Sequence, residues 1–228
     1  FTFSVRSLIK EAKKIVFLLE SDDLNRARKE LSNIVGRDTE NMDRIQIKRA
    51  CIESLAENMV DGIISPIFYA FIGGAPFAMA YKAVNTLDSM VGYKNEKYLR
   101  LGWASARFDD AANFLPARIA RLIIPAASFF CGADPYNSLK IAFRDGHKHP
   151  SPNSGLSEAA FAGALKVQLG GSCSYNGIES HKPLLGDSEE PLSIKKIKKS
   201  IQIVYIGSCL AIFTGVSALI AINIFLRD

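Results

Sequence analysis

The sequence predicts an all-α, multi-pass membrane protein with broken or re-entrant helices and a helical hairpin on the cytoplasmic side. Residues 201–226 run 26 positions without a charge, enough for a tilted helix to cross a hydrocarbon core of about 30 Å. A second uncharged stretch of 19 residues lies between Asp61 and Tyr81. Carboxylates and amides gather at the edges of apolar segments from Glu53 to Asp110. A charge in hydrocarbon costs roughly 2.5–3.5 kcal/mol on insertion scales, so repeated polar clusters beside such segments imply use.

Taken in order, residues 1–36 read as an amphipathic hairpin. Val5, Leu8, Ile9, Ala12, Ile15, Val16 and Leu19 recur at helical spacing, SDDLN (21–25) supplies a turn and cap, and Leu24, Ala27, Leu31, Ile34 and Val35 make a second stripe stopped by Gly36. Residues 37–228 follow as one membrane-associated helical region. A third helix is expected from about Asn41 to Asp61, its apolar stripe formed by Ile45, Ile52, Leu55 and Met59. Pro66, Gly73, Gly74 and Pro76 interrupt 63–81 and favour a broken or re-entrant pair. Residues 119–133, with Pro125, are short for a span. From 134 to 193 the chain reads as polar and loop-rich apart from a helix near 157–169, and the last spanning helix covers about 201–226.

Net charge is +5. The densest basic cluster, Lys195, Lys196, Lys198 and Lys199, directly precedes the final apolar run. That position suits the positive-inside rule and puts 134–200 in the cytoplasm and Asp228 outside. It does not suit a nucleic-acid module, which would interleave cations with aromatics on a recognisable fold. Cys51, Cys131, Cys173 and Cys209 are scattered, as buried thiols in a reducing compartment would be. The chain opens on Phe1 rather than Met and is expected to begin inside a longer protein.

Glu53, Glu57 and Asp61 fall at i, i+4 and i+8, spread over about 80° of a helix surface. A solvated acidic face is the plain reading, but aligned acids repel unless a cation offsets them. Asn85 and Asp88 are one turn apart, as are Asp109 or Asp110 and Asn113, with Arg107 and Arg118 flanking. Hard oxygen ligands of this kind suit Mg²⁺, and the arginine fork suits phosphate. Helix caps and internal salt bridges remain the alternative for each pair. RDGHKHPSPNSG (144–155) is either a surface turn or a loop presenting backbone N–H groups to an anion. There is no Walker sequence and no G-x-G-x-x-G, so any ATP is held in another manner.

The strings IVGRDT (34–39), ESLAENMVDGIISPIFY (53–69), GGAPFAMAYKAVNTLDSMVGYKNEKY (73–98), ARFDDAANFLPAR (106–118), RDGHKHPSPNSG (144–155) and FAGALKVQLGG (161–171) resemble the adenosylcobinamide-phosphate synthase family, often called CbiB or CobD. The resemblance implies a multi-pass enzyme of the cell membrane, its active site facing the cytoplasm. Such an enzyme uses ATP and Mg²⁺ to join adenosylcobyric acid, a corrinoid, to aminopropanol or aminopropanol phosphate through an amide. For that chemistry the residues themselves nominate Glu53, Glu57, Asp88 and Asp109 for catalysis and Glu57, Asp61, Asp88 and Asp110 for the metal. Arg37, Asn58, Lys82, Asn85, Arg107, Asn113, Arg118, Arg144, Ser151 and Asn153 are nominated to bind the cofactors. Leu156 stands after SPNSG where the family pattern leads one to expect an aromatic residue. Expected partners are the corrinoid, the amine and membrane lipid, not nucleic acid. A non-catalytic membrane scaffold or signalling protein on the same fold is the alternative, and a small-ion transporter explains the broken helices but not the polar SPNSG loop.

Overall fold

Apolar spacing decides the first two helices. In the computed structural model, which describes residues 5–91, 99–175 and 177–225 with side chains at 91 and 99–101 excepted, α1 spans Val5–Glu20 and buries Leu8, Ala12, Ile15, Val16 and Leu19. Asp23 caps α2 (Leu24–Ser32) by accepting from the Arg26 N–H, which satisfies an orphan donor of the first turn. The second helix ends at Ser32, earlier than the Gly36 stop read from the sequence.

A capping box starts α3 (Arg44–Met59). The Asp43 carboxylate accepts from the backbone of Ile45 and Gln46, and the Gln46 side chain accepts from the Asp43 N–H. This helix is the centre of the molecule. Ile47, Cys51, Ile52, Leu55, Ala56 and Met59 are fully enclosed, because α1, α7 (Ser154–Leu165) and α8 (Ile194–Phe225) pack around it. The expected stripe is therefore too narrow, and its first member, Ile45, is 58% exposed.

A π turn over Val60–Ile64 joins α3 to α4 (Ser65–Val91). Such turns carry one extra residue per turn and occur at functional sites. The interruption expected in 63–81 is present. Gly73 (φ −140°, ψ 21°) and Gly74 (φ 67°, ψ −157°) break α4, and the Gly74 conformation is one that side chains forbid. A Cβ on Gly73 would also meet the Phe77 ring at 2.3 Å.

Other expectations are corrected. Residues 119–133 are not a short segment but mostly the second half of α5 (Leu99–Phe130), which runs through Pro116 and Pro125. The region 134–193 is not loop-rich: it holds α6 (Pro135–Asp145), α7 and a hairpin of β1 (Leu169–Tyr175) and β2 (Ile178–Leu185). The helix placed near 157–169 sits at 154–165. The strands are antiparallel, with Gly171 opposite Lys182 and Tyr175 opposite Ile178, so the chain is mainly helical rather than purely so. Asp228 and the 92–98 part of the 73–98 string lie outside the described residues.

Among the described residues, two helical stretches are long and apolar enough to cross a membrane, Arg44–Met90 and Ile194–Phe225. Beyond Ala211, α8 buries nothing: Ile212, Phe213, Ile220 and Phe225 are all at least half exposed. Ile72, Phe77 and Met79 of α4 and Phe114, Leu115 and Leu122 of α5 are exposed too. An apolar surface of that extent is abnormal for contact with water. The lysines in the first turns of α8 are partly engaged, Lys196 with Glu190 at 2.6 Å and Lys198 with Glu20 at 2.7 Å.

Candidate active site

Helix α3, the π turn and α4 form an acidic wall. Glu57, Asn58, Asp61, Lys82, Asn85 and Asp88 line one cleft of about 760 Å³, together with Arg37. Its other side is built by Tyr175 and Lys182 of the hairpin and by residues of α1. Seven of the sequence-nominated residues therefore converge. The π turn matters here because it carries Asp61 between Glu57 on α3 and the α4 residues.

Below this wall a hydrogen-bonded floor ties α4 to α5. Asn113 donates to Asp109 at 3.0 Å and accepts from Ser65 at 2.6 Å and Tyr81 at 2.9 Å. Asn85 donates to Asp109 at 3.3 Å and accepts from Lys82 at 2.8 Å. Asp109 is thereby fixed by two amides, while Asp88 is not: its Oδ1 is buried and, among the described residues, accepts nothing. A buried acceptor left without a partner costs free energy that folding alone does not recover.

Asp110 belongs to a neighbouring group. Ser151 donates to its carboxylate at 3.3 Å, and the Asn153 amide donates to its backbone carbonyl at 2.8 Å. Arg118 donates to Asn153 at 3.2 Å and stacks over Phe114 at 3.4 Å. The SPNSG loop is thus pinned against α5.

Glu53 is not on the open face. It is 1% exposed, ion-paired with Arg37 at 2.6 Å, and its second oxygen accepts from the Gly170 N–H at 2.7 Å. Gly170 needs to be glycine, since φ is 86° and a Cβ would meet the Pro183 carbonyl at 2.1 Å. The Arg37–Glu53 pair therefore anchors the hairpin to α3. Arg107 and Arg144 are not brought to the cleft. Arg107 is exposed over Trp103 at 5.9 Å.

Arg144 is bound by Asp145 at 2.7 Å and Asp187 at 2.9 Å. Asp145 also accepts from Lys148 at 2.6 Å and the Gly186 N–H at 2.8 Å. Burial alone would raise the Asp145 carboxyl, but Arg144, Lys148 and the Gly186 N–H hold it well below the ordinary carboxylate range. A carboxylate with a depressed folded pKa contributes fully above its unfolded value, near 3.9, and loses that contribution as pH falls towards the folded pKa. Asp145→Asn should therefore melt lower than the unsubstituted protein at pH 7. The gap should close below about pH 4, in thermal melts taken at stepped pH.

Sequence reasoning passed over Glu158 and Lys182. Glu158 is 1% exposed, and neither of its oxygens accepts a hydrogen bond from the described residues. Burial pushes its pKa up. The signal was a lone acid in an otherwise apolar helix, SGLSEAAFAGAL. Among the described residues no three carboxylate, imidazole or thiol groups meet closely enough to hold a metal alone.

The family described as CobD/Cbib protein matches residues 1–204. A relative from Leptospira interrogans serogroup Icterohaemorrhagiae serovar copenhageni, called cobalamin biosynthesis protein CobD, is 51% identical over 209 residues, covering 92% of this chain and 66% of the relative. A relative from Salmonella choleraesuis, called cobalamin biosynthesis protein CbiB, is 48% identical over 217 residues, covering 95% of this chain and 68% of the relative. The chain spans about two thirds of the length of the curated relatives it matches. No solved structure matches it.

Proposed function

The chain belongs to the CobD/Cbib family, and from that membership we propose that it carries the catalytic cleft of a cobalamin-biosynthetic ligase. The reaction is ATP-dependent amide formation between adenosylcobyric acid and aminopropanol or its phosphate. The observation that carries this reading is the cleft's pairing of an acidic wall, Glu57, Asp61 and Asp88, with the cations Lys82 and Lys182.

A carboxylate does not condense with an amine in water without activation. Transfer of the γ-phosphoryl group of ATP to the acid gives an acyl phosphate and ADP. Attack by the neutral amine then gives the amide and hydrogen phosphate, so that the last amine proton leaves on phosphate. One or two of Glu57, Asp61 and Asp88 would hold Mg²⁺, with Asp110 in the neighbouring group. The fit is good on two grounds: Asp88 has a buried oxygen without a partner, and Mg²⁺ ordinarily takes only one or two carboxylates, leaving phosphate oxygens and waters to complete its shell. Bound there, the ion would neutralise phosphate charge during transfer. Asp109, fixed by Asn85 and Asn113, keeps Lys82 and Tyr81 in register along the wall. The exposed Glu57 is placed to take the first proton from the incoming ammonium.

The bare apolar faces of α4, α5 and α8 would lie in the cell membrane, with the cleft on the cytoplasmic side, where the lysines in the first turns of α8 and the ATP supply both belong. The re-entrant form of the α4 break follows from the same placement. The test is conversion of adenosylcobyric acid to its aminopropanol amide by the full-length protein with ATP and Mg²⁺. Amide formation that stops without either supports the ligase. No product under these conditions sinks it in favour of a scaffold.

A further inference from the structure

The cleft contains a cation that, among the described residues, no hydrogen bond occupies. Lys182 lines it from β2, with its side chain 18% exposed. Its nearest recorded partner is Glu158 at 3.9 Å, an ion-pair distance but too long for a hydrogen bond. The other cations differ. Arg37 is engaged by Glu53, and Lys82 donates to Asn85. Lys182 therefore has three N–H donors facing a polar cleft whose opposite wall is acidic.

We propose that Lys182 binds an anionic oxygen of the phosphoryl group in transfer or of the acid that receives it, and that Glu158 is the positioning residue that holds Lys182 charged and aimed. The inference rests on the ligase reading for the identity of the anion, but not for its existence. Two further observations support it. Glu158 has both oxygens buried and without hydrogen bonds, an arrangement too costly to keep for structure alone. The hairpin that carries Lys182 is clamped to α3 through Gly170 and Glu53, with Lys182 directly across the ladder from Gly171. The ammonium is thus held by a fixed strand rather than a free loop.

The charged and titratable groups around Lys182 are Glu158 from α7, Glu53 and Glu57 from α3, Tyr175 from β1 and His149 from the loop before α7, with Arg37 lining the same cleft. Burial works against the ammonium, yet these acids, Glu158 foremost, hold its pKa above the ordinary lysine value. Burial lifts the Glu158 carboxyl to about 8, so its charge is present on the alkaline side, and removing it there should let Lys182 lose its proton at lower pH. A lysine in this setting presents its donors to an oxyanion in a low-dielectric site, where one such donor is worth about a hundred- to thousand-fold in rate.

The test uses the full-length protein in detergent with Lys182→Ala, Lys182→Arg and Glu158→Gln. Lys182→Ala should lower kcat about a hundred-fold or more and abolish protection from thermal unfolding by Mg·pyrophosphate. Lys182→Arg should recover both in part. Glu158→Gln should move the alkaline limb of the pH–rate profile to lower pH, which a packing role would not do. An accompanying rise in the KM for Mg·ATP assigns the phosphoryl oxygens, and an accompanying rise in the KM for the corrinoid acid assigns the acceptor. Amide formation by the unsubstituted protein with a fully active Lys182→Ala overturns the inference and leaves the ligase standing. No amide formation but lysine-dependent pyrophosphate binding overturns the ligase and leaves the anion site. Neither activity nor pyrophosphate binding overturns both.

Discussion

Asp88→Ala should lower amide formation about a hundred- to thousand-fold without lowering the melting temperature. These two outcomes separate function from folding because of how Asp88 sits. Its Oδ1 is buried and accepts no hydrogen bond, so the folded chain carries an acceptor that water solvated before folding. Removing it relieves that desolvation and breaks no recorded contact of that oxygen, and the variant should melt at or slightly above the parent temperature. What is lost is a ligand for a cation or a charge aimed into the cleft. Initial rates with saturating ATP and Mg²⁺, set beside a thermal melt in the same detergent, decide it. Parent-level turnover would remove Asp88 from the mechanism, and a large fall in melting temperature would make it structural.

Arg37→Ala should have the opposite signature. Both members of the Arg37–Glu53 pair are buried, the side chains being 7% and 1% exposed. Truncating the arginine strands a carboxylate, and breaking such a pair costs about 3–5 kcal/mol. The consequence spreads further, since the same carboxylate holds Gly170 and with it the β-hairpin. Melting should fall steeply, and limited proteolysis should find new cuts between residues 169 and 185. The double variant Arg37→Met with Glu53→Gln should recover part of the loss, because no charge is then left alone. An unchanged melting temperature in Arg37→Ala would mean that the pair does not anchor the hairpin.

The sequence was most readable where one periodicity governs burial. The α1 residues Leu8, Ala12, Ile15, Val16 and Leu19 sit at helical spacing and all are buried. The same logic fails for α3, because neighbours surround it and no single stripe marks its inner face. The strands were harder still. LGGSCSY and IESHKPLL have no strict alternation and are short of β-branched residues, so pattern alone reads them as loop. The Asn-Gly pair at 176–177, between Tyr175 and Ile178, was the available hairpin signal. Spacing within a helix brought Glu57 and Asp61, or Asn85 and Asp88, together by arithmetic. It had no means of separating Glu53, tied inward to Arg37, from Glu57 one turn on, because that depends on a loop and a hairpin remote in sequence. Glu158 and Lys182 illustrate the same limit, since 24 positions and a strand turn lie between them.

The π turn at Val60–Ile64 also acts as a phase shift in the main helix. One surplus residue there advances everything that follows by roughly 100° relative to a continuous α-helix. Ser65 and Tyr69, which bond to Asn113 and to the Ala112 carbonyl on α5, take their bearing from that offset. Deleting one residue from this turn would shorten the helix by only about 1.5 Å, a change its ends would absorb. The whole of the following wall would nevertheless swing out of alignment with Glu57. Length variation at 60–64 is therefore a far stricter constraint on this chain than its lack of charged residues would suggest, Asp61 excepted.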